Sequence, residues 1–128
     1  MKVALYSAEA EQSVIGALLR NNDAIDRIGD LREEHFWNYQ HRLIFGEILK
    51  MILACSKVDI ITLSDRLRVI GKSDAADLSY LNAIEQGTPS AANIGRYAAL
   101  VHEKALKRGL LALVHDMEEI FSGDIVTP

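Results

Sequence analysis

Glu11 and His41 are the residues of this chain best suited to proton chemistry, because each falls where an apolar side chain would be expected. At ~100° per residue, Ala10, Val14, Ala17 and Leu18 form one helical stripe that encloses Glu11. Ile44, Phe45, Ile48, Leu49, Met51 and Ile52 form a second stripe, and it encloses His41. A carboxylate and an imidazole held together could pass a proton. No Gly-x-Ser-x-Gly or comparable nucleophile context accompanies them, so nothing in the chain supports catalysis. A buried charge is costly unless paired. The pattern therefore predicts a structural polar contact between helices, with each other or Arg42 as the partners of Glu11 and His41.

Other chemistry-bearing residues lead nowhere. His35, His41, His102 and His115 show no His-Glu-x-x-His or Cys/His spacing for a metal. Gly71-Lys72-Ser73 resembles the end of a phosphate loop, but Arg66 stands where that loop needs its first glycine. The segment also follows a helix rather than a strand. A helix stop at Gly71 explains it better. The single Cys55 lies in an apolar run and is read as a buried small hydrophobe.

The elements that position these residues read as all-α. Apolar residues are 49% of the 128 and only Pro89 and Pro128 are prolines, so helix breakers are scarce. The length suits one domain. Ser7 is a cap for a helix over about residues 8–21, followed by a short helix at 24–31 and a turn at 33–36. Asn38 caps residues 39–55, Asp59 caps 60–70, and a further helix spans 77–86 before Gly87. Thr88-Pro89-Ser90 is a break, beyond which 91–122 reads as one very long helix or two nearly collinear ones.

That last segment carries two apolar faces. Ile94, Tyr97, Ala98, Val101 and Ala105 form the first. Leu106, Leu110, Leu113, Met117, Ile120 and Phe121 form the second, turned by roughly a third of a revolution or more. The first half is expected to complete the bundle (about 7–105) and the second (about 106–122) to meet another helix or chain. A kink near Gly109, keeping both on one core, is the alternative.

The formal net charge is −4, which argues against independent nucleic-acid binding. Arg96, Lys104, Lys107 and Arg108 could form a basic patch, but Glu103, Glu118 and Glu119 lie close by. No apolar run approaches the ~18–20 residues of a membrane span. The start of the chain lacks the apolar core of a secretion signal, so a cytoplasmic protein is expected.

Several blocks, in order, resemble a known family. Ser7-Ala8-Glu9-Ala10-Glu11-Gln12 is similar to the opening of the N-terminal domain of DnaB-type replicative DNA helicases. Phe36-Trp37, His41-Arg42-Leu43-Ile44-Phe45, Asp59-Ile60-Ile61-Thr62-Leu63, Tyr80-Leu81 and Thr88-Pro89-Ser90-Ala91-Ala92-Asn93-Ile94 continue the match over about residues 7–122. Ala75-Ala76-Asp77 departs from the glycine-containing loop frequent in the family.

The resemblance implies a compact bundle of about five short helices, followed by a long helix that begins a helical hairpin. The hairpin would pair with a second copy within a hexameric ring, and the collar so formed would dock the C-terminal domain of primase. Leu106, Leu110, Leu113, Met117, Ile120 and Phe121 are the expected self-association residues. Surface reasoning supplies the candidate primase contacts: Glu9 opposite the first stripe, Tyr80 beside a loop, and Leu111, an apolar residue off the packed face. Gly123-Asp124 would open the hairpin turn, its returning arm being absent where the chain stops at Val126-Thr127-Pro128. ATP and magnesium would belong to an ATPase domain, leaving no cofactor, catalytic residue or strong direct DNA contact here. A helicase-binding domain of a primase and a small nucleic-acid-binding module are the competing readings.

Overall fold

The computed structural model describes residues 4–126, with side chains to residue 123. Side-chain caps set the helix starts. Ser7 Oγ accepts the N–H of Ala10 and opens α1 (Ala8–Arg20). Asn38 accepts from Gln40 and His41 and opens α2 (Tyr39–Leu53). Asp59 and Thr62 exchange bonds in a capping box that opens α3 (Ile60–Val69). Asp77 accepts from Tyr80 and opens α4 (Leu78–Gln86). Each oxygen satisfies a donor that the first helical turn leaves free, typically worth about 1 kcal/mol.

α5 (Ile94–Val126) follows, and two 3-10 turns (Asn22–Arg27 and Glu33–His35) connect α1 to α2. There is no strand among the described residues. α1 is the central element, packed on α4 and on the first part of α5, with α2 and α3 closing the bundle. Ile15, Leu18, Ile44, Phe45, Ile48, Leu63, Leu67, Leu81 and Ile94 fill the core. Phe36 packs on Phe45 at 4.6 Å between ring centroids and plugs the connection before α2.

Three local expectations give way. The 24–31 helix is instead the earlier 3-10 turn, because Asn21 turns the chain and caps Asp23, while Gly29 (φ 62°) ends the segment. Cys55 is exposed, not buried. α2 ends at Leu53, and Cys55 takes a left-handed φ of 59° so that the Ser56 N–H can reach the Met51 carbonyl at 2.9 Å. Its apolar neighbours in sequence belong to the helix; Cys55 lies past its end. Finally, α5 runs on through Gly123 and Asp124 to Val126. One glycine costs a helix about 1 kcal/mol relative to alanine, which leaves the bond ladder intact. Thr127 and Pro128 lie outside the described residues.

Gly71 closes α3 at φ 76°, with Lys72 N–H on the Leu67 carbonyl at 2.7 Å. This is the geometry of a helix C-cap, not of a phosphate cradle.

Candidate functional site

Glu11 and His41 meet in the interior, from α1 and α2. Nδ1 of His41 lies 2.8 Å from Oε1 of Glu11, and the residues are 1% and 2% exposed. Glu11 also accepts the backbone N–H groups of Trp37 (2.7 Å) and Asn38 (3.2 Å), two donors that precede α2. A carboxylate offers only acceptors, so Nδ1 of His41 carries the proton. On the far side of the ring, Nε2 lies 2.7 Å from the hydroxyl of Tyr80 on α4. Gln12 Nε2 reaches the same hydroxyl at 3.4 Å. The chain Gln12–Tyr80–His41–Glu11 thus ties α1, α2 and α4 together. Its charged end is paid for by three donors, which is the condition for burying a carboxylate.

Arg42, expected among the buried polar group, is exposed and takes no part. It follows His41 directly, and ~100° of helical rotation carries it off the buried face. Tyr80 was legible only as a tyrosine beside a loop. Its place in the chain of bonds needed the docking of α4 on α1, which no local spacing reports.

Tyr80 is half-buried, and its outer edge lines a groove of about 280 Å³ between α1 and α4, with Glu9, Gln12, Ser13, Ala83 and Thr88. The groove joins two of the three candidate contact residues, Glu9 and Tyr80. Leu111 lies elsewhere, on α5 beside Leu5, Arg108 and His115.

Along α5, Ile94, Ala98 and Val101 are buried in the bundle, and from Gly109 onward every described side chain is exposed. Leu106 (56% exposed), Leu110 (62%), Leu113, Met117, Ile120 and Phe121 line one side of the outer part of α5, uncovered. The helix is continuous through Gly109, so this second stripe does not fold back onto the core.

Two of the four basic residues of the possible patch are engaged. Arg108 donates to the carbonyls of Leu5 (2.8 Å) and His35 (2.7 Å), pinning the N-terminal segment and the second 3-10 turn to α5. Lys107 pairs with Glu103 at 3.2 Å. A patch for phosphate would need these cations free.

Two polar sites escaped the sequence reading. Glu47 of α2 is buried and bonded to Lys50 and Arg66, each at 3.0 Å. Burial opposes its charge, but the two cations prevail and hold its pKa below the ordinary glutamate value. His35 and His102 meet edge to face at 4.7 Å, and burial together with the His102 and Arg108 charges lowers the pKa of His35. Among the described residues no group of three or more His, Cys, Asp or Glu could hold a metal ion. No helix there is long and apolar enough to cross a membrane.

A helical bundle with a structural polar centre and a long helix with an uncovered apolar face defines a class of small all-α domain. Residues 3–103 match the DnaB-like helicase N terminal domain, and the chain belongs to that family. It is 38% identical over 116 residues to the replicative DNA helicase DnaB of Haemophilus influenzae, covering 89% of this chain and 25% of that protein. The DnaB of Leifsonia xyli subsp. xyli is 36% identical over 104 residues, 80% of this chain and 23% of that protein. The chain thus spans about a quarter of the length of these relatives, in the N-terminal domain and not the catalytic part of the helicase. The crystal structure of the N-terminal domain of DnaB helicase from Mycobacterium tuberculosis superposes with a TM-score of 0.85 at 31% identity, covering 89% of this chain and 84% of that one. A DnaB-like replicative helicase, described with its interactions with primase, shares the fold at a TM-score of 0.76 and 20% identity, over 91% of this chain and 28% of that one.

Proposed function

We propose that this chain is a protein-interaction domain of a replicative DNA helicase, supporting assembly of the helicase ring and docking primase in the cytoplasm. The observation that carries the reading is the uncovered stripe Leu106–Leu110–Leu113–Met117–Ile120–Phe121 on α5. Apolar surface left in water forgoes about 25 cal/mol per Å², so a long stripe of it favours a partner. A second copy is the simplest complement, since a two-fold axis presents each stripe to its twin.

Primase docking is supported by the groove that unites Glu9 with Tyr80, and by the shared fold of a helicase described with primase. Holding primase on the ring raises the concentration at which it meets the unwound strand. On this reading the domain itself uses no cofactor, and ATP and magnesium serve the ATPase domain of the helicase.

The test is the mass of the purified chain over a dilution series, beside a Leu110→Asp, Leu113→Asp variant of equal helicity. A wild-type dimer that the variant abolishes supports the reading. A wild-type monomer at every concentration overturns self-association through α5.

A further inference from the structure

We infer that His41 is a positioning residue that sets the hydrogen-bond polarity of Tyr80 at the α1–α4 groove, making the groove edge an acceptor surface for a donor-rich, cationic partner segment. The inference rests on the reading that this groove contacts primase.

The argument follows the protons. Glu11 fixes Nδ1 of His41 as a donor, so Nε2 is the only ring atom whose role can change. In the neutral ring Nε2 accepts, and the phenol proton of Tyr80 is committed inward. The Tyr80 lone pairs then face Gln12 and the groove. Every donor in the chain has an acceptor in this arrangement. Tyr80, Gln12 and the exposed Glu9 all line the groove, and a phenol, an amide carbonyl and a carboxylate make its side chains rich in acceptors. Such an edge suits lysine, arginine or the free N–H groups at a helix start.

Had Nε2 carried the ring proton instead, it would donate to Tyr80, and the phenol proton would be forced outward. Gln12, which meets the hydroxyl through its amide nitrogen, would then have to turn its amide oxygen inward to accept that proton. The edge would change from acceptor to donor, and a cationic partner would lose its match. The titratable groups that contact the ring are Glu11 from α1 and Tyr80 from α4. Arg42, on the same helix, is exposed and unbonded to it, and Glu9 stands in the groove beyond Tyr80. Tyr80 is therefore the route by which the state of a fully buried imidazole reaches the surface.

Two measurements test this on the whole chain. The first uses ¹⁵N-histidine NMR, with and without Tyr80→Phe. The wild type is expected to show the Nδ1–H tautomer, with Nε2 shifted when the hydroxyl is removed. An Nε2–H tautomer, or identical spectra, would overturn the inference. The second is binding of the C-terminal domain of the cognate primase to wild type, Tyr80→Phe and Glu9→Gln. Tyr80→Phe should weaken binding about tenfold, the size of one ordinary hydrogen bond. Equal binding by Tyr80→Phe sinks the proposal. Primase that binds no variant overturns the docking reading, and with it the partner assigned to the groove, while the NMR arm still decides the polarity of Tyr80.

Discussion

Gly16 on α1 lies against Thr88 so closely that a Cβ at position 16 would stand 2.1 Å from Thr88 Oγ1 and 2.9 Å from the Ile84 carbonyl oxygen. Thr88 cannot swing away freely, since its hydroxyl donates to that carbonyl at 3.1 Å and the residue is buried. Arg20 holds the same corner, donating to the carbonyls of Thr88 and Glu85. Gly16→Ala should therefore push α4 away from α1 and destabilise the fold by about 1–3 kcal/mol, the usual cost of overpacking. Urea unfolding followed by circular dichroism measures it. An unchanged midpoint would mean that α1 and α4 are not packed this tightly.

Glu11→Ala should be among the most damaging single substitutions in the chain. It strips the acceptor from two backbone N–H groups and from a buried imidazole at once. Removing one member of a buried, bonded pair costs about 3–5 kcal/mol. Glu11→Gln keeps one acceptor oxygen but turns an amide N–H₂ toward existing donors, so its loss should be smaller yet clear. If both variants melt with wild-type midpoints, the carboxylate is not what holds α1 to the start of α2.

Much of the fold was legible because helix starts are local. Ser7, Asn38 and Asp59 announce themselves by residue type next to an apolar period, and each is found capping. Glu11 and His41 stood out as polar residues inside apolar stripes, a signal periodicity can carry. Tyr80 and Glu47 did not, because His41 and Arg66, which Tyr80 and Glu47 meet across helices, lie 39 and 19 residues away and only packing brings them together. Arg108 could be weighed only as a possible member of a basic patch or of a mixed-charge surface, since a sequence cannot show that two carbonyls occupy its guanidinium. Cys55 misled for the opposite reason: composition runs smoothly past the point at which the backbone turns.

Two groups should make stability depend on pH, in separate windows. Burial and the charges of His102 and Arg108 lower the pKa of His35 in the folded chain from 6.5, so the unfolded chain binds that proton more readily. Its contribution is complete above 6.5, falls as pH drops below that value, and levels off beneath the folded pKa. Glu47 is held below 4.5 by Lys50 and Arg66 despite its burial, so its contribution is present above 4.5 and disappears as pH falls through the folded pKa. Urea midpoints between pH 8 and pH 3 should decline in both windows. His35→Gln should flatten the upper slope and Glu47→Gln the lower one. A profile in which either variant parallels the wild type would contradict the corresponding assignment.

Cys55 occupies a left-handed backbone position normally given to glycine, with φ at 59°. A side chain there crowds its own backbone at a cost of about 1–2 kcal/mol, which glycine avoids. Glycine loses more conformational freedom on folding, by about 0.5–1 kcal/mol, so part of the gain is returned. The thiol is exposed and free, so removing it sacrifices no core packing. Cys55→Gly should accordingly stabilise the chain by a few tenths to about 1 kcal/mol, whereas Gly71→Ala, at φ 76°, should destabilise it by a similar amount. The pair is informative because the two positions close α2 and α3 by the same backbone turn with opposite residue choices. Opposite shifts in the urea midpoint are expected. A loss of stability in Cys55→Gly would show that the thiol makes a contact worth more than the strain it sits in.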